Sequence, residues 1–149
     1  MDFIRQLDKE LPSGTIAFIG PQQDISDELR KIRRVRLLGK KPLTSLPHYA
    51  SAAHGLIMPY ADIPVTREMQ PLKLKEYLAT MKPVIVRKLP STVEWSDCLD
   101  MAVSARGFST LAYERSHTGL LDEQRIARQR LLHESWKAKS DLFYQYLFD

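Results

Sequence analysis

The chain has one cysteine, Cys98, so no internal disulfide can form. That scarcity agrees with a reducing compartment, and the apolar run around Cys98 reads as a place for a small buried hydrophobe. No apolar run approaches the roughly 20 residues of a membrane-spanning helix. The opening segment, Met1 to Gln6, is amphipathic and has no signal-peptide core, so a cytoplasmic protein or one on a cytoplasmic face is expected. Dinucleotide and ATP fingerprints of the Gly-x-Gly-x-x-Gly and P-loop kinds are missing, as is the Gly-x-Ser-x-Gly elbow of serine hydrolases. His48, His54, His117 and His133 share no ligand spacing with carboxylates or with Cys98, so no metal is expected. The cations of Arg30, Lys31, Arg33, Arg34 and Arg36 have no interleaved aromatics on which bases could stack. They read first as a solvated helix end, and nucleic acid is not an expected partner. The alternative function is a non-catalytic module that uses this Arg30–Arg36 patch for a protein or nucleic-acid partner.

What is present is an ordinary soluble composition, 44% hydrophobic and 27% charged over 149 residues, with a net charge of +4. One domain over residues 1–149 is expected, because no repeat, low-complexity stretch or linker divides the chain. Short apolar runs alternate with helical stretches, which predicts an α/β fold with a mainly parallel sheet. Residues 3–11 form an opening helix. Thr15 to Ile19 form a strand closed by Gly20-Pro21, and Ser26 to Arg33 a helix capped by Asp24 or Ser26. Val35 to Leu38 is a second strand, ended by Gly39, and Thr44 to Ala53 is helical. Gly55 to Tyr60 is a third strand, and Ala61 to Gln70 a polar loop. A helix from Pro71 to Thr80 follows, then strands over Pro83 to Val86 and Leu99 to Val103. From about Phe108 the remainder is helical, and its last helix carries Leu132, Trp136, Phe143 and Leu147 on one face. Trp95 and Trp136 read as packing residues.

The informative helix begins at Pro71. At about 100° per residue, Leu74, Leu78 and Met81 share the face that packs on the sheet. Lys73 and Glu76 point the opposite way, about 60° apart, with Leu72 beside them. The free N–H groups and dipole of a helix N-terminus favour phosphate, and Lys73 adds a full positive charge. Glu76, one turn on, suits the two hydroxyls of a ribose. The same residues also fit an exposed Lys/Glu pair at i, i+3 on an ordinary helix.

Several segments in order resemble a known family: Val35-Arg36-Leu37-Leu38-Gly39, Leu46-Pro47-His48-Tyr49, Gly55-Leu56-Ile57-Met58-Pro59-Tyr60, Pro71-Leu72-Lys73-Leu74-Lys75-Glu76-Tyr77-Leu78-Ala79, Lys82-Pro83-Val84-Ile85-Val86 and Ser135-Trp136. Together they are similar to the C-terminal, nucleotide-sugar-binding domain of retaining GT-B glycosyltransferases of the family-four (group 1) type. The resemblance covers about residues 14 to 148. It implies a Rossmann-like three-layer α/β/α domain, one half of a GT-B fold. It implies that Glu76 binds the donor ribose and that Glu68, eight positions earlier, approaches the donor sugar as the catalytic carboxylate. Lys73 and the N–H groups around Leu72 and Lys73 would contact the diphosphate. Thr66, Gln70, Pro71 and Tyr60 would line the donor site, beside the Gly20 and Gly39 turns. The donor would be a nucleotide-diphosphate sugar such as a UDP-sugar, with no other cofactor and no metal. The acceptor half is not encoded here, so a partner domain or subunit is implied, as is peripheral association with the cytoplasmic membrane face. Cell-envelope glycan assembly is the implied setting. The chain departs from the family where Met69-Gln70-Pro71 replaces a glycine-rich segment, and where Gly20 to Asp24 lacks the family's Arg and Lys pair.

Overall fold

The computed structural model describes residues 1–148. Its spine is five short strands, β1 (Ile16–Phe18), β2 (Val35–Leu37), β3 (Leu56–Met58), β4 (Val84–Arg87) and β5 (Asp100–Ala102). Every described pairing is parallel, as the α/β pattern predicts. The strands form two ladders, β1-β2 and β3-β4-β5, with Ile57 opposite Ile85 and Val86 opposite Met101.

Around them run α1 (Asp2–Glu10), α2 (Asp27–Arg30), α3 (Leu46–Ala52), α4 (Pro64–Glu68), α5 (Leu72–Ala79), α6 (Pro90–Val93), α7 (Ala105–Thr118), α8 (Asp122–Ala127) and α9 (Trp136–Phe148), with 3-10 turns at Leu43–Ser45 and Arg128–Glu134. Side chains alternate across a strand, and β4 uses both of its faces. Ile85 points into a core with Ile4 and Leu7 of α1, Ile16, Val35 and Phe108 of α7. Val84 and Val86 point the other way, into a core with Leu74 and Leu78 of α5, Met58, Trp95, Cys98 and Leu99. Helices therefore cover both faces of the β3-β4-β5 sheet, which is the Rossmann-like α/β/α layering. Phe3 meets Phe108 edge to face at 5.3 Å and joins α1 to α7. Arg115 of α7 makes two 2.9 Å hydrogen bonds to the buried Asp100 carboxylate and fixes α7 on β5.

Several expectations need correction. The helix expected over Ser26 to Arg33 is the single turn Asp27–Arg30, capped by Ser26, whose hydroxyl accepts from Leu29 N at 3.3 Å. Asp24 instead takes a left-handed φ of 53°. The loop expected over Ala61 to Gln70 contains α4. Proline at its first position and Thr66 at its third explain this: Thr66 Oγ1 accepts from Ile63 N at 3.2 Å and satisfies a donor at the helix start. Leu89-Pro90-Ser91-Thr92 repeats the device to open α6, where Leu89 N donates to Thr92 Oγ1 at 3.1 Å. Helix α5 stops at Ala79, because Met81 adopts φ 56° and turns to solvent, off the buried face assigned to it. Trp136 is not a packing residue: it is 86% exposed.

Candidate functional site

In a parallel sheet flanked by helices, ligands bind beyond the carboxyl ends of the strands, where the backbone turns away from the core. The β1 and β2 ends meet there, with Gly20 N donating to Gly39 O at 3.1 Å. Gly39 has φ 69°, a conformation open to glycine and strained for other residues. Gln22 supports this turn by donating from Nε2 to Leu37 O at 3.3 Å.

The β3 end carries the larger set. Tyr60 is half-buried against the second core, and burial raises its phenol pKa. Tyr77 of α5 is raised too, by burial first and then by Tyr60 and Glu76. Helix α4 then places Glu68, exposed, at its last position. Its Thr66 hydroxyl is occupied within the protein, donating toward Ala61 O (2.5 Å) and Ile63 O (2.9 Å). Ser91 of α6 donates to Thr66 O at 2.8 Å and ties the two short helices together. Thr66 thus shapes the loop, and its hydroxyl is not directed outward.

Gln70 and Pro71 make the tight entry into α5: Leu72 N donates to Gln70 O at 2.9 Å and Leu74 N to Pro71 O at 2.8 Å. No side chain caps this helix start. Leu74 and Leu78 are fully buried, which pins one face of α5 to the sheet. Leu72, Lys73 and Glu76 are therefore exposed on the other face, as the helical periodicity predicts. Among the described residues no ion pair engages Lys73 or Glu76, whereas Lys75, two positions on, is paired to Glu134. The structure thus gathers Gln70, Pro71, Leu72, Lys73 and Glu76 around one helix start. No hydrogen bond or ion pair among the described residues joins them to the Gly20–Gly39 turn. Two open grooves, of about 320 and 500 Å³, lie elsewhere, between α1 and α2 and along β5 and α7.

The chain is similar to a glycosyltransferase. It is 35% identical over 98 residues to "Putative teichuronic acid biosynthesis glycosyltransferase TuaH" of Bacillus subtilis (strain 168), an alignment covering 62% of this chain. The chain spans about a quarter (25%) of that relative's length. No family model matches, and no solved structure matches.

One charge cluster beside this site, Asp62 with Arg67 and Arg87, escaped the sequence reading. Asp62, after β3, is bidentate with Arg67 (2.5 and 3.2 Å) and lies 3.8 Å from Arg87 at the end of β4. The Arg67 hydrogen bond leads in lowering the Asp62 pKa. Their spacing in sequence carries no signal, because Asp62 and Arg87 meet only when β3 and β4 pair. The basic patch, conversely, is partly spent. Arg34 donates to Asp8 O, Pro12 O and Gly14 O, and Arg36 to Arg33 O and Val35 O. No candidate metal centre of three or more His, Cys, Asp or Glu occurs among the described residues. Cys98 is fully buried, and burial pushes its thiol up to about 11, so it is protonated and unreactive at neutral pH.

Proposed function

We propose that this chain is the nucleotide-diphosphate-sugar-binding unit of a glycosyltransferase, with the start of α5 as its donor site. The observation that carries the reading is the uncapped α5 N-terminus at the carboxyl side of the parallel strands, with Lys73 and Glu76 exposed and unpaired on its outer face. The similarity to a glycosyltransferase supports it.

In this reading the diphosphate sits at the helix start, where Leu72 N and Leu74 N are engaged by Gln70 O and Pro71 O, and the Lys73 backbone N–H and the Lys73 ammonium face it. Glu76 accepts hydrogen bonds from the ribose hydroxyls. Leu72 and half-buried Tyr60 supply apolar contact, and Gln70, Pro71, Gly20 and Gly39 border the site. Transfer breaks the bond between the sugar's anomeric carbon and the diphosphate oxygen, so negative charge grows on the leaving group. Fixed donors and a cation aimed at that charge lower the barrier. Glu68 stands at the sugar end as the catalytic carboxylate. The acceptor, such as a growing glycan, comes with a partner domain or subunit, so the isolated chain binds donor without transferring sugar. The donor is the only small molecule required, and the setting is cytoplasmic, at the membrane face.

Calorimetric titration with UDP, GDP and ADP tests this. Wild-type protein should bind one of the three selectively. Lys73→Ala and Glu76→Ala should each weaken that binding by roughly tenfold or more, the effect of losing one charge-assisted hydrogen bond of about 1.5–3 kcal/mol. Binding that ignores both substitutions would sink the site assignment.

A further inference from the structure

We propose that Arg128 is a positioning residue for the α5 site: from behind the helix it fixes the rotation at which Lys73 and Glu76 face the donor. The inference rests on the donor-site reading. Arg128 is 1% exposed, in the second core's wall, and burial draws its guanidinium down to about 10, still cationic at neutral pH. No carboxylate is among its hydrogen-bond partners. It donates instead to three carbonyls, Cys98 O (2.9 Å), Leu78 O (3.2 Å) and Lys82 O (2.8 Å). Leu78 lies in the last turn of α5, where its carbonyl also accepts from Met81 N at 3.3 Å, and Lys82 lies just beyond the helix, at the negative end of its dipole. Cys98 O lies just before β5. One rigid fork therefore ties the far end of α5 to the β5 entry, a geometry that the compact ammonium of lysine does not reproduce.

The same segment grips α5 a second time. Lys75 pairs with Glu134, and its ammonium also lies 5.6 Å from the Trp95 ring centroid. Arg130 stacks on that ring at 4.5 Å and is bidentate with Asp97 at 2.6 and 2.8 Å. Residues 128–134 thus hold both the C-terminal end and the end of the first turn of α5. Buried leucines resist pulling the helix off the sheet, but apolar contact is non-directional and resists rolling less well. A roll of about 20° moves a side chain at the helix's outer radius of roughly 5–6 Å by about 2 Å. That is enough to break a hydrogen bond from Glu76 to a ribose hydroxyl.

The test combines amide hydrogen exchange with titration by UDP, GDP and ADP on the full chain carrying Arg128→Met, Arg128→Lys or Lys75→Met. Arg128→Met should speed exchange across residues 72–79 at least tenfold while residues 105–118 stay within about twofold. It should weaken the nucleotide bound by wild type at least fivefold, and Arg128→Lys should recover part of both losses. If Arg128→Met does not fold, Arg128→Lys and Lys75→Met carry the test with smaller shifts of the same kind. Asp8→Ala, which loosens the distant Arg34 contact, is the stability control: it should lower the melting temperature without weakening nucleotide binding. Exchange rising equally in both segments, or unchanged affinity in every α5-clamp variant, overturns the positioning role alone. Wild-type protein that binds none of the three nucleotides overturns the donor-site reading, and this role with it.

Discussion

Lys73 and Lys75 stand two positions apart on one helix and have different surroundings. Lys75 turns back to Glu134 and Trp95, while Lys73 remains exposed beside Glu76. The 3.6-residue period makes this division, since Leu74 and Leu78 take the buried arc and the neighbours share what is left. Leu72 and Leu74 differ in the same way, at 64% and 0% exposure. Thermal or urea unfolding should therefore separate them. Leu74→Ala should lose about 3 kcal/mol, from lost transfer energy and the cavity left in the second core. Leu72→Ala should change stability by less than about 0.5 kcal/mol, and under the proposed donor-site reading any effect should appear in nucleotide affinity. Comparable losses from both would mean that the outer face of α5 is packed rather than free.

Among elements, the Arg128–Glu134 turn matters most for α5. The Lys75 hydrogen bond, then that of Lys139, lowers the Glu134 pKa below its ordinary 4.5. A carboxyl whose folded pKa is depressed stabilises the fold fully above its unfolded pKa, and loses that stabilisation as pH falls through the folded value. The melting-temperature gap between wild type and Glu134→Gln should therefore be constant from about pH 8 to pH 6 and shrink below about 4.5. A gap that persists to about pH 3 would show that the pair adds nothing through charge. Helices α4 and α6 show how an element escapes a pattern reading. Each is too short to display a hydrophobic period, yet a proline followed two positions later by threonine opens both. That start signal is local and was readable; the hydrogen bond from Ser91 to Thr66 that joins the helices is not.

At the scale of the molecule, the mass of the fold lies in two cores on either side of β4, and α9 stands outside both. Its Trp136, Phe143, Tyr144, Tyr146 and Phe148 are each at least 64% exposed, and its principal packing is against the preceding 3-10 turn. Side chains that bury little on folding contribute little to stability. Phe143→Ser and Tyr146→Ser together should shift the melting temperature by no more than about 2 °C, a stability change of about 0.5–1 kcal/mol at most. A larger fall would place these rings in a core.

The sequence by itself determined the parallel α/β alternation, the helix at Pro71 and the outward placement of Lys73 and Glu76. These follow from short apolar runs between stretches of 3.6-residue period, from glycine at strand ends, and from proline's place at helix starts, all properties of a few consecutive residues. Tertiary structure decided that Arg34 and Arg36 turn onto backbone carbonyls, that Asp62 meets Arg87, and that Arg128 lies buried behind α5. Those outcomes depend on which distant segments share a core, and a guanidinium reads the same in a sequence whether its partners are water or the carbonyls of residues 30, 46 and 50 positions away.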